Sequence, residues 1–209
     1  MDDRNHRDSS QRRPPSRAST LAVVLVLVGA AAAVAQTGGQ TGSELIVFES
    51  NRDGLTEIYA MRPDGSRKRR LTNNDARDAA PALSPDGRTI AFASGRDGNW
   101  NLYRMRADGS RQERLTATAA DEINPDWAPD GTSVVYERQR GRRADILRLN
   151  LARRTVTSIA STRAAEITPS YSPDGTRIAY AARLGGNFRD CHPRSRNPTR
   201  DCTHAQRAG

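Results

Sequence analysis

Through the middle of the chain, short apolar runs alternate with clusters of turn-forming residues, and the alternation repeats at a fixed interval. Ile46-Val47-Phe48, Ile90-Ala91-Phe92, Val134-Val135-Tyr136 and Ile178-Ala179-Tyr180 follow one another at 44 residues. The turn cluster Ser84-Pro85-Asp86-Gly87 recurs at the same spacing as Ala128-Pro129-Asp130-Gly131 and Ser172-Pro173-Asp174-Gly175. Arg52-Asp53-Gly54 matches Arg96-Asp97-Gly98, and Leu71-Thr72 matches Leu115-Thr116. A period of this length marks one supersecondary unit repeated and stacked, because a single unit cannot bury its own apolar face.

Each period predicts four short strands, which in the best-conserved copy cover residues 81–84, 88–94, 100–106 and 111–116. Pro85 presets the φ of a type I turn and Gly87 supplies positive φ, so the first two strands form a tight hairpin. Asp108-Gly109 plays the same part between the third and fourth. The second strand is apolar on both faces, Ile90 and Phe92 on one and Ala91 and Ala93 on the other, as in a sheet packed between two neighbours. Four-stranded antiparallel sheets stacked face to face around an axis are propeller blades.

The residues that run from the Leu-Thr pair through Ser-Pro-Asp-Gly, the Ile-Ala-Phe strand, Ser-x-Arg-Asp-Gly and a Leu-Tyr strand resemble the TolB-type, WD-repeat-like blade. The resemblance covers residues 45–187. It implies an all-β fold, an incomplete β-propeller of about three four-stranded blades. Thirteen strands are expected: three before Thr72, four, four again, and two before Arg183. Closed rings need at least about four blades, so the chain reads as a truncated member, or as one completed by self-association through open blade edges. The third copy is degraded, with Arg140-Gly141-Arg142 in place of Arg-Asp-Gly and Asn150-Leu151-Ala152 in place of Pro-Asp-Gly. Beyond Asn187 the register is lost, and residues 188–209 are expected to form an irregular basic tail.

The N-terminus departs from this pattern. Arg4, Arg7, Arg12, Arg13 and Arg17 precede an apolar segment over residues 21–35 that ends Ala33-Val34-Ala35. That order reads as a signal peptide over residues 1–35, with residues 36–44 a short linker. Fifteen apolar residues fall short of the roughly 20 that span a bilayer, so membrane attachment arises only if the segment is uncleaved. Either way the repeats are placed outside the cytoplasm, in the periplasm, the cell envelope or the medium. The formal net charge is +9. By region, residues 36–182 hold 22 basic and 19 acidic side chains, while residues 183–209 hold six and two. A nearly balanced body lacks the basic stripe with stacking aromatics that nucleic acid requires.

Candidate chemistry lies on one rim, where the Arg-Asp-Gly loops meet the links into each innermost strand. Asp78, Glu122 and Glu166 are spaced by 44 residues, as are Arg52, Arg96 and Arg140. They could form a charged binding ring, or salt bridges that order the loops. Cys191 and Cys202 suggest a disulfide in an oxidising compartment, while Cys191-His192 and Cys202-Thr203-His204 lack usual zinc spacing. No Gly-x-Ser-x-Gly is present, and His6, His192 and His204 all fall outside the repeats, so no catalytic set, metal or cofactor is expected. The sequence therefore reads as an exported, non-catalytic scaffold for a protein, peptide or saccharide, with a propeller hydrolase or lyase lacking its catalytic part as the alternative.

Overall fold

The computed structural model describes residues 45–184, together with the backbone of two further strands, Asn187–Cys191 and Cys202–Thr203. It is all-β, with fifteen strands in four antiparallel sheets that follow the chain in order. The first blade has three strands, β1 (Ile46–Ser50), β2 (Glu57–Met61) and β3 (Arg69–Arg70). The second is β4 (Asp78–Leu83), β5 (Thr89–Ser94), β6 (Asn101–Arg106) and β7 (Glu113–Arg114). The third is β8 (Asp121–Trp127), β9 (Ser133–Arg140), β10 (Arg143–Asn150) and β11 (Thr155–Ala160). The fourth is β12 (Glu166–Tyr171), β13 (Ile178–Leu184), β14 (Asn187–Cys191) and β15 (Cys202–Thr203). The described residues do not close a ring.

The expectation of thirteen strands is corrected by the last pair. Asn187–Cys191 pairs with β13 from Tyr180↔Cys191 to Leu184↔Asn187, although its side chains no longer follow the repeat. Backbone pairing needs only an edge to template it, whereas the repeat pattern is a pattern of side chains. The second pair sets the Cα positions of Cys191 and Cys202 opposite each other. The side chains of both cysteines, and residues His192 and His204, lie outside the described residues, as does the leader.

Apolar alternation fixes how the blades stack. Val47, Ile58 and Leu71 of the first blade pack against Leu83, Ile90, Phe92, Tyr103 and Met105 of the second. On the opposite face of the second blade, Ala82 and Ala91 meet Trp127 and Val134 of the third. Leu102 and Leu115 of the second blade also pack against Tyr136, Leu147 and Leu149 of the third, so side chains of facing sheets interdigitate at each boundary. The Trp127 indole spans this boundary, Nε1 donating to the Ala82 carbonyl at 3.0 Å.

Each innermost strand carries a bulge at the same place. The ladder shifts between Ala79 and Ala82, Ile123 and Asp126, and Ile167 and Ser170. Ala80, Asn124 and Thr168 sit there at φ of 50°, 52° and 50°, each followed by proline. A β-bulge leaves an unpaired residue. Carboxylates from the preceding blade serve two of these residues: Ala80 N donates to Glu49 Oε2 at 2.7 Å and Thr168 N to Glu137 Oε2 at 3.2 Å.

Candidate functional site

The loops that follow β1, β5 and β9 lie on one rim, and in the first two blades they share one architecture. In the first, Arg52 Nε donates to Ser50 Oγ at 3.0 Å, and its guanidinium carbon lies 4.8 Å from the Tyr59 ring centre and 5.4 Å from that of Phe48. The Tyr59 hydroxyl donates to Asp53, so Arg, Tyr and Asp latch the loop closed. In the second, Arg96 Nε donates to Ser94 Oγ at 2.7 Å, with the guanidinium 4.5 Å from the Tyr103 ring centre. Tyr103 in turn donates to Asp97 Oδ2 at 2.5 Å. Burial, then the adjacent aspartate, pushes both phenols above their ordinary range.

The periodic acids stand one layer below. Asp78, Glu122 and Glu166 are 0%, 0% and 1% exposed, near the beginnings of β4, β8 and β12. Asp78 is paired, with Arg96 Nη2 at 3.2 Å and Asn74 Nδ2 at 2.6 Å. Glu166 accepts the Thr162 amide at 3.2 Å and its hydroxyl; burial pushes its carboxyl up despite these bonds, with Asp145 adding to the rise. The Glu122 carboxylate has no hydrogen-bond partner among the described residues, although it lies close enough to the Tyr136 hydroxyl to add to that phenol's upward shift, which burial dominates. Arg138 stands directly opposite Glu122 in the ladder, with Nε also unpartnered and Nη2 3.9 Å from Asp145. The three acids thus form the interior of the rim, and no open acidic ring is built from them.

The third blade lacks the loop latch. Gly141 stands where the aspartate would be and Leu147 where the tyrosine would be, and Arg140 is exposed. Without a latch the hairpin zips two pairs further, to Ala144↔Gln139 and Arg143↔Arg140, around a tight turn with Gly141 at φ 62°. The six arginines and acids at the period of 44 are therefore distributed unevenly: Arg96 meets Asp78, whereas Arg52 holds only its own loop.

Several contributors were not singled out from the sequence. Glu137, 1% exposed, accepts Asn124 Nδ2 at 2.9 Å, Gln139 Nε2 at 2.5 Å and the Thr168 amide. Glu57, 0% exposed, accepts Arg70 Nη2 and Thr72 Oγ1, both at 2.5 Å. An acid adjoining an apolar run, before Ile58-Tyr59-Ala60 for Glu57 and after Val134-Val135-Tyr136 for Glu137, was the available clue to both, since such a group is seldom buried without partners. Two cavities open between blades. One of about 560 Å³ lies between the third and fourth, on the rim of the Arg-bearing loops. Another of about 690 Å³ lies between the second and third, on the opposite rim beside Pro85, Trp127 and Pro129. Among the described residues, no three His, Cys, Asp or Glu side chains gather to hold a metal ion.

Comparison with known proteins agrees with the architecture. Residues 31–191 match the TolB beta propeller domain. Among solved structures, a protein assigned as TolB from Agrobacterium tumefaciens superposes with a TM-score of 0.63 at 22% identity, over 71% of this chain and 56% of that one. TolB from Acinetobacter baumannii gives 0.60 at 22% identity, over 71% and 37%. A puromycin-hydrolyzing peptidase of Mycobacterium tuberculosis gives 0.57 at 15% identity, over 71% and 25%. The chain thus spans about half or less of the length of these relatives. No curated protein sequence matches it. The 44-residue repeat, the four successive sheets and the match over residues 31–191 together place this chain in the TolB β-propeller family.

Proposed function

We propose that the chain is an exported, non-catalytic scaffold that presents its rims to a protein, peptide or saccharide partner. The observation that carries this reading is the division of labour on the rim. Its acids are buried and two of the three are held by neighbouring groups, while the cavities between blades open to solvent. A group committed to ordering a loop is a poor general acid or base, whereas a cleft between rigid sheets suits recognition. Export is supported by the basic, then apolar, then small-residue order of residues 1–35.

The test has two parts. Expressed with its own leader, the chain should be recovered outside the cytoplasm with Gln36 as its first residue by intact mass. Immobilised, it should bind defined members of peptide and glycan arrays saturably, without turning over peptide, ester or polyuronide substrates. Confinement to the cytoplasm, or turnover lost on substituting a rim acid, sinks the proposal. The alternative of a propeller hydrolase or lyase without its catalytic part draws on the match to about 25% of a puromycin-hydrolyzing peptidase. A downstream reading frame that encodes a nucleophile-bearing domain would favour it.

A further inference from the structure

The boundary between the second and third blades and that between the third and fourth are built from equivalent positions, yet their side chains at the loop rim differ. In the first case Asn99 Nδ2 donates to the carbonyls of Thr118 and Ala120 at 3.1 and 2.8 Å, and Trp100 N donates to Asp121 Oδ1 at 3.0 Å. One period later Arg143 replaces Asn99, Ala144 replaces Trp100 and Ala165 replaces Asp121. The backbones still meet, since Ala144 and Ala165 form a parallel bridge. With alanine at both positions, a cavity of about 560 Å³ stands there.

The walls of this cleft are basic. Arg142 and Arg143 line it, both exposed, and neither makes an ion pair among the described residues; Arg183 lines it as well. The one acid among the described lining residues, Glu137, spends its oxygens on Asn124, Gln139 and the Thr168 amide. Among the described residues, Ala144, Ala165 and Ile167 are the apolar part of the lining and no aromatic residue joins them. That composition selects a ligand. Guanidinium groups take carboxylates in forked pairs. A sugar ring or a nucleobase would call for an aromatic platform, and Ala144 stands where the preceding repeat has Trp100.

We propose that the cleft between the third and fourth blades binds an acidic peptide segment, whose carboxylates pair with Arg142 and Arg143; this rests on the scaffold reading above. The volume suits two or three residues of an extended chain.

Fluorescein-labelled hexaglutamate is titrated with the full chain at low ionic strength and followed by anisotropy, with hexalysine and polygalacturonate as comparison ligands. Saturable binding of hexaglutamate is expected, weakened about tenfold or more by R142E/R143E. The pair R62E/R88E makes the same charge change on exposed residues of the opposite rim and should cost less than about twofold. R142Q/R143Q gives a second reading should the charge reversal fail to fold. Equal weakening by both charge-reversed pairs reduces the effect to net charge and overturns the site. Absence of saturable binding overturns it too, as does stronger capture of polygalacturonate through the same arginines. Array binding elsewhere on the rims would survive such a failure, so the cleft and the scaffold reading fall separately.

Discussion

At the scale of single residues, the same arginine of the repeat has three different situations. Arg96 covers Tyr103 and neutralises Asp78, which is fully buried. Removing one partner of such a pair strands a charge in low dielectric. Arg96→Ala should therefore cost about 2 kcal/mol in urea unfolding, below the full buried-pair figure because Arg96 itself is partly exposed. Arg140→Ala, with no aromatic beneath it, should cost less than about 0.5 kcal/mol. An equal cost for both would show that the latch contributes nothing. Glu166 gives a pH-dependent counterpart. Burial raises its carboxyl above the ordinary 4.5, so the folded state holds that proton more tightly than the unfolded chain does. Its stabilising effect is complete below the unfolded pKa and is lost as pH rises through the raised folded value. Glu166→Gln should flatten that decline in urea midpoints measured between about pH 4 and pH 7. Asp174 has the opposite sign: hydrogen bonds from Ser172 and Thr176 hold it at about 2, so its contribution is kept at neutral pH and lost in strong acid.

At the scale of the elements, turns and bulges decide what each repeat tolerates. Gly109 turns the outer hairpin of the second blade at φ 92°, and a Cβ there would meet the Leu71 carbonyl oxygen of the first blade at 2.9 Å. Gly87 has φ 70° but open space around it. Gly87→Ala should thus cost about 1 kcal/mol from backbone conformation alone. Gly109→Ala should cost about 2–3 kcal/mol, since an interface between blades must also shift. Equal costs in thermal or urea melts would mean that the blade contact yields freely. Thr168 occupies the bulge at φ 50° on the surface, a conformation that asparagine tolerates and a β-branched residue does not. Asn124 already fills the equivalent place one blade earlier, so Thr168→Asn should stabilise by about 0.5–1 kcal/mol, readable as a higher urea midpoint. The sequence showed the hairpins at Pro85-Asp86-Gly87 and Asp108-Gly109 because their chemistry is local. It did not show the bulge, since alanine, asparagine and threonine share no composition and the strain is imposed by the partner strand. The periodic acids were visible as a pattern, but their burial was not, because that depends on a neighbouring strand and loop. Strands β14 and β15 were hidden for a related reason: edge pairing, of β14 with β13 and of β15 with β14, compensates for side chains that left the repeat.

For the whole molecule, the first sheet sets the terms. In the second, third and fourth blades an innermost strand, β4, β8 or β12, covers the strand that follows it. In the first blade β1 corresponds to that covered strand, yet among the described residues it pairs only with β2. Among the described residues no strand pairs with its outer N–H and C=O groups, and an unpaired edge is a template for another strand. If two copies meet there, average mass in sedimentation should rise with concentration, and the rise should be accompanied by slower hydrogen exchange in Ile46–Ser50. The equivalent strand Thr89–Ser94 is hydrogen-bonded on both sides and should be protected at every concentration. Comparing the two segments separates edge pairing from association elsewhere, since contact through the rims would raise the mass while leaving Ile46–Ser50 in fast exchange. A constant monomer mass with Ile46–Ser50 as protected as Thr89–Ser94 would mean that the edge is already covered within one chain, and self-association through it would be excluded.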